Sequence, residues 1–185
     1  MGRIKTHIEN YESIINDVFI ETGTFKGESL EFAATLPFKE LYSCDVSKRH
    51  YVNAKEKFKS NEKIKLYLES SHTLLKKIID CSKTTTFWLD GHWQNINADE
   101  INHDATECPL KIELEHIFSF KWIKPPLILI DDAEHYPKHD IDKLKYKSGY
   151  NMNQWISHEE IKKIMPIGYN FKIRKDVIWL YSILL

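Results

Sequence analysis

The chain has 185 residues, 42% of them hydrophobic, with 26 basic against 27 acidic residues and a net charge of −1. That length suits one domain spanning 1–185 with one core, and the charge balance excludes a general pull toward nucleic acid or an anionic membrane. The three cysteines, Cys44, Cys81 and Cys108, form no CxxC pair. An odd count argues against a disulfide framework and for a reducing, cytoplasmic setting. No run approaches the ~18 apolar residues of a membrane span. The amino terminus is too polar for a secretory signal, and its Met-Gly start fits an acylation pattern only loosely.

The elements alternate in type along the chain. VFIET (18–22) is a β-branched and aromatic run that reads as a strand. GESLEFAATL (27–36) has helical spacing, with Leu30, Ala33 and Ala34 on one side. ELYSCDV (40–46) reads as a strand and KRHYVNAKEKFKS (48–60) as an exposed, lysine-rich helix. KIKLYLE (63–69) is a strand, SHTLLKKIID (71–80) a helix and TTTFWLD (84–90) a strand. PLKIELEHIFSF (109–120) is a helix with Pro109 near its first turn. PPLILID (125–131) is a strand apolar on both faces, as central parallel strands are. The final NFKIRKDVIWLYSILL (170–185) reads as two strands turning near Lys175-Asp176. The pattern predicts an α/β fold: a Rossmann-like, doubly wound, mostly parallel sheet closed by an antiparallel carboxyl-terminal hairpin.

Ligands of such sheets bind outside the carboxyl ends of the strands. Acids recur there: Glu21, Asp45, Glu69, Asp90, Asp131 and Asp132. Like charges gathered at one edge repel, so they suit cations, hydroxyls or an amine better than a structural loop. In ETGTFKGES (21–29), Gly23 and Gly27 permit a tight turn and close backbone approach, and Ser29 lies just inside the following helix. An acid ahead of the glycines favours a ligand with an amine and no phosphate, a description that S-adenosylmethionine meets. The GxGxxG of nicotinamide enzymes is absent. Asp45 suits the two hydroxyls of a ribose; its alternative role is a helix cap, which Ser47 could also fill.

ETGTFKGES, CDVS (44–47), WLDGH (88–92), ECPLKIELEHI (107–117) and LILIDDAEHY (127–136) stand in the order found in class I S-adenosylmethionine-dependent methyltransferases. The last three most resemble a bacterial and viral group of small-molecule O-methyltransferases, which includes the macrocin-type sugar enzymes and, more distantly, the catechol type. The resemblance covers roughly residues 15–185, and joint order carries it more than any single motif. It implies a seven-stranded sheet with an antiparallel last strand. It implies cofactor contacts from Glu21, Thr22, Gly23, Phe25, Gly27, Ser29, Asp45 and Asp90, with Ser70 or Ser71 beside the adenine. The acceptor it implies is a sugar, glycan or other small hydroxylated molecule.

In the metal-dependent members, magnesium is held by an acid after the fourth strand and an acidic or amide pair after the fifth. Asp90, Asp131 and Asp132 match those places. Adjacent strands lie ~4.8 Å apart, so their terminal carboxylates can share one hard cation, which lowers a hydroxyl's pKa. His92 offers another route, as a general base without metal; otherwise it is a loop histidine. His135 is a weaker candidate for the same role. Zinc on His92, His103 and Cys108 fits no standard spacing. The polar stretch 92–108 is expected to cover the substrate together with part of 133–156, with Glu107 orienting that loop or lining the site. Trp93 and Tyr136 suit either a sugar ring or the core. The strand from Trp179 to Leu185 is expected to pair across a homodimer, if one forms. A rival reading is a Rossmann-like module that binds the cofactor without turnover.

Overall fold

The computed structural model describes Ile4 and residues 16–92, 106–140 and 152–183. Its seven strands are β1 (Val18–Thr22), β2 (Glu40–Asp45), β3 (Ile64–Leu68), β4 (Thr85–Leu89), β5 (Leu127–Ile130), β6 (Tyr169–Arg174) and β7 (Val177–Ser182). They form one sheet in the order β3-β2-β1-β4-β5-β7-β6. All pairs are parallel except β5–β7 and β6–β7. The helices are α1 (Glu28–Ala34), α2 (Lys48–Lys57), α3 (Ser71–Ile78), α4 (Leu110–Ser119) and α5 (His158–Ile164). The sheet is therefore Rossmann-like, with the expected antiparallel hairpin.

The central strands are buried on both faces because their side chains alternate between two apolar layers. Val18, Ile20, Phe87, Leu89, Ile128, Ile130, Ile178 and Leu180 share one layer with Leu75, Leu114 and Ile117 of α3 and α4. Phe19, Trp88, Leu129, Val177 and Trp179 face the other way, onto Leu30 and Ala33 of α1 and onto Phe38. Period-two alternation with both phases apolar is why VFIET, TTFWL and LILI read as continuous hydrophobic runs.

Two features depart from expectation. α5 was not anticipated, although it opens on a capping box: the Ser157 hydroxyl accepts from the Glu160 amide at 3.2 Å and the Ser157 amide donates to the Glu160 carboxylate at 2.9 Å. β7 lies between β5 and β6, with Ile178–Leu180 paired on both edges, so those residues offer no edge for the expected pairing across a homodimer. The chain reverses at Lys175 and inserts its last strand inward, which leaves β6 as the free edge. Residues 93–105 and 141–151, which carry most of the expected substrate cover with Trp93 and His103, lie outside the described residues. No helix among the described residues is long and apolar enough to cross a membrane.

Candidate active site

Strand order reverses between β1 and β4, and the registers align the strand ends there. Thr22 pairs with Cys44 on one side and Leu89 on the other, and Leu89 pairs with Ile130. The next residue on each strand is Gly23, Asp45, Asp90 or Asp131, so the four lie along one sheet edge. Above them opens a cleft of about 360 Å³.

Of the expected cofactor residues, Glu21, Gly23, Phe25, Ser29, Asp45, Ser70, Ser71 and Asp90 line this cleft. Thr22 and Gly27 do not. Thr22 is fully buried, its hydroxyl facing Gly91. Gly27 adopts φ 67 as the N-cap of α1, and a Cβ there would meet the Phe58 ring at 2.7 Å. Its smallness admits a neighbouring side chain, not a ligand.

Asp45 organises the loop. Its carboxylate accepts from the amides of Phe25 at 2.7 Å and Ser47 at 2.8 Å. The cap of α2 is Ser47, whose hydroxyl accepts from the His50 amide, so Asp45 is not spent as a cap. His50 stands 3.4 Å from the Asp45 carboxylate and meets the Phe25 ring edge-on at 4.9 Å. Glu21 is 1% exposed and accepts from the Ser43 hydroxyl at 2.5 Å, which in turn bonds Thr24 at 2.6 Å. Burial drives its pKa up to about 8; the Ser43 donor opposes this and the charge of Asp45 adds to it.

A second buried carboxyl lies beneath the cleft. Glu113 of α4 is 1% exposed, and burial lifts its pKa to about 7 against the hydroxyls of Ser71 and Thr22. The backbone of Gly91 passes over it: a Cβ on Gly91 would stand 3.2 Å from Pro109, 3.3 Å from the Thr22 hydroxyl and 3.4 Å from Glu113.

The acids expected to hold magnesium do not converge. Asp131 is fully buried beneath the cleft and accepts the Asp132 amide at 2.9 Å. Asp132 has a left-handed backbone, φ 53, and reaches the cleft. Its carboxylate lies 3.1 Å from Nε2 of His92 and 3.3 Å from Nδ1 of His135. Asp90 stands on the far side of His92, 3.7 Å from Nδ1. Among the described residues, the metal-ligand types that gather within 4.8 Å of one another are His92, Asp132 and His135. That group is two imidazoles and one carboxylate, and it contains one of the three acids expected to hold magnesium. The reason lies in the backbone: Asp131 continues the line of β5 beneath the cleft, whereas the left-handed turn at Asp132 brings its buried carboxylate into the cleft lining.

That turn is braced from a distance. The amides of Ala133 and Glu134 donate to the backbone and side-chain oxygens of Asp176, at 2.9 and 3.0 Å. Nε2 of His158 lies 3.2 Å from the Ala133 carbonyl. Tyr136 and Trp155, each 3% exposed, wall His92, with ring centroids 6.2 and 5.3 Å away. Tyr136 therefore belongs to the core rather than to an open sugar platform. Glu107 does not line the cleft; its amide donates to Gln154 at 2.7 Å. Sequence reasoning missed Ser43, His50, Glu113, Asp176 and Trp155. Their roles depend on contacts that only the folded chain makes, as Ser43 with Glu21 and Asp176 with Glu134, 22 and 42 residues apart.

No protein-family model matches the chain, and no curated protein matches it in sequence. Solved structures do share its fold. SMU.1697c of Streptococcus mutans, solved with S-adenosylhomocysteine, superposes with a TM-score of 0.58 at 14% identity, over 91% of this chain and 89% of that one. An rRNA methylase from Streptococcus thermophilus gives 0.58 at 15%, over 98% and 97%. The N-methyltransferase NodS of Bradyrhizobium japonicum, with S-adenosylhomocysteine, gives 0.56 at 10%, over 94% and 81%. The fold is that of the class I methyltransferases.

Proposed function

We propose that the chain is an S-adenosylmethionine-dependent O-methyltransferase acting on a hydroxyl of a sugar, glycan or other small acceptor. The reading is supported above all by one observation: Glu21, Asp45 and Asp90, from three neighbouring strand ends, face a single cleft with Ser70 and Ser71. About 360 Å³ falls within the ~300–1,000 Å³ range of small-molecule sites. Bound there, S-adenosylmethionine supplies a methyl group on a sulfonium, ready for transfer to a nucleophile.

The residues divide the work. Asp45, already aligned by two backbone amides, accepts from ribose hydroxyls. Glu21 lies buried where an ammonium group would draw it into its charged form. Ser70 and Ser71, at the start of α3, border the adenine. Asp90 is the cleft-facing acid at the end of β4, and its side chain is 28% exposed. It accepts the hydroxyl proton as the acceptor oxygen bonds to the methyl carbon and the carbon–sulfur bond breaks. His92 behind it steadies the site. Positioning of the two reactants contributes most of the acceleration.

A hydroxyl acceptor is favoured over an amine because the β4 end presents a carboxylate, as loss of a hydroxyl proton demands. A small acceptor is favoured over RNA, the substrate named for two of the structural neighbours, because the chain lacks the cationic excess that tracks phosphates.

Calorimetry with S-adenosylhomocysteine, and product release in the presence of sugar and phenol acceptors, test this. Binding in the micromolar range and turnover are expected. Asp90→Asn should lower kcat by about 10²–10⁴ with little change in cofactor affinity. No binding tighter than millimolar defeats the proposal. Binding without transfer to any hydroxylated acceptor would identify a cofactor-binding module instead.

A further inference from the structure

We infer that His92, Asp132 and His135 form a site for a borderline divalent transition-metal ion such as Zn²⁺, Co²⁺ or Mn²⁺, in place of a magnesium site. The inference deepens the proposed function, since the site adjoins the acceptor end of the same cleft.

Geometry is the first argument. The Asp132 oxygen is 3.1 Å from Nε2 of His92 and 3.3 Å from Nδ1 of His135. The first lies near the long end of the ~2.7–3.2 Å range of N–H···O hydrogen bonds and the second just beyond it. They match the spacing between neighbouring ligands around an ion with metal–ligand bonds of ~2.0–2.1 Å. All three donor atoms lie within 4.8 Å of one another.

Donor chemistry is the second. Two imidazole nitrogens and one carboxylate suit first-row transition ions, whereas magnesium demands oxygen. Three protein ligands leave a coordination position open, as catalytic sites do. That position would adjoin the cleft, since His92 and Asp132 both line it.

The surroundings are the third. With Nε2 of His92 as ligand, Nδ1 lies on the Asp90 side of the ring, 3.7 Å from that carboxylate, a small shift from the hydrogen bond that commonly orients a ligating histidine. Asp90 thereby becomes a positioning residue for the site as well as the cleft-facing base. The His92 and Asp132 side chains are 2% and 3% exposed, so charge gathered there needs a nearby countercharge. The left-handed backbone of Asp132, pinned through Asp176, holds the carboxylate between the two rings.

The test uses the full chain, stripped with chelator and titrated separately with Co²⁺, Zn²⁺ and Mg²⁺. Binding is followed by calorimetry and by the visible absorption of Co²⁺. Cofactor binding is measured in parallel with S-adenosylhomocysteine. The expected result is Co²⁺ and Zn²⁺ binding at least about tenfold tighter than Mg²⁺, with a visible spectrum of nitrogen-ligated Co²⁺. His135→Gln lies at the rim and should weaken Co²⁺ by about 10–100-fold and alter that spectrum, while S-adenosylhomocysteine still binds. Asp131→Asn should keep the Co²⁺ site. Equal or tighter Mg²⁺ binding, loss of the site in Asp131→Asn, or Co²⁺ binding indifferent to His135→Gln would each overturn the inference. Metal binding that fails while S-adenosylhomocysteine binds leaves the proposed function standing; the reverse result separates the two in the other direction.

Discussion

The carbonyl oxygen of Asp90 occupies the space where a side chain on Gly23 would begin: a Cβ there would lie 2.2 Å from that oxygen and 2.9 Å from its carbon. The Asp90 amide donates to the Thr22 carbonyl at 3.0 Å, so the ends of β1 and β4 are locked together at the cleft floor. Gly23→Ala must therefore move Asp90 as well as strain a backbone at φ 84. A loss of roughly 2–4 kcal/mol in urea unfolding is expected, with S-adenosylhomocysteine affinity falling sharply. Gly168→Ala is the control. It also has positive φ, 95, but nothing lies within 4 Å of its Cβ. It should cost only about 1–2 kcal/mol of backbone strain and leave cofactor binding alone.

Asp45 and Ser47 stand two residues apart and divide cofactor binding from helix capping. Asp45→Asn removes the charge that aligns the Phe25 and Ser47 amides. It should weaken S-adenosylhomocysteine binding by about tenfold or more, since hydrogen bonds to charged groups contribute about 1.5–3 kcal/mol. Ser47→Ala should cost about 1 kcal/mol of stability as a lost N-cap and change affinity less than about twofold. Equal affinity losses in the two variants would show that the carboxylate serves only the loop.

Glu21 makes cofactor binding depend on pH. Its pKa of about 8 without ligand means that the carboxyl is largely protonated at neutral pH. A neighbouring ammonium favours the ionised form, so binding releases a proton and strengthens as pH rises toward about 8. Titrations of S-adenosylhomocysteine from pH 6 to 8 should show this rise, and Glu21→Gln should abolish it while weakening binding. An unchanged slope in Glu21→Gln would assign the dependence elsewhere.

Glu113 makes stability depend on pH in the opposite sense. Its folded pKa of about 7 lies above the ordinary 4.5. Between those values the folded chain keeps a proton that the unfolded chain has released. Its contribution is therefore full below about 4.5, declines as pH rises, and is gone above about 7. Glu113→Gln keeps the shape without the charge. Relative to the parent, it should gain up to roughly 3 kcal/mol between pH 5 and 8, at ~1.4 kcal/mol per pKa unit. Urea unfolding of both proteins across that range measures the difference.

Much of this architecture was legible in the sequence because it is local. VFIET, TTFWL and LILI are short runs with apolar residues in both phases, and their length and β-branched or aromatic content mark them as strands covered on two faces. Lys175-Asp176 marked the hairpin turn. SHEE at 157–160 carried the capping-box signal of α5, readable by spacing alone. The acids at the strand ends were legible for the same reason, since each follows its strand directly. Which acids face the cleft was not. Asp131 and Asp132 are adjacent, chemically alike and both buried, yet a left-handed turn at Asp132 brings only that carboxylate into the cleft lining.

The sequence by itself determined the alternation of strands and helices, the reversal at the carboxyl terminus and the row of acids at one sheet edge. These follow from side-chain periodicity and from residues placed next to the elements they end. Tertiary structure alone decided that Gly23 makes room for Asp90, that β7 lies inside the sheet and that His92 joins Asp132 and His135. Those outcomes depend on strand order and on backbone turns that bring together residues about 40 or more positions apart, distances over which no periodicity carries information.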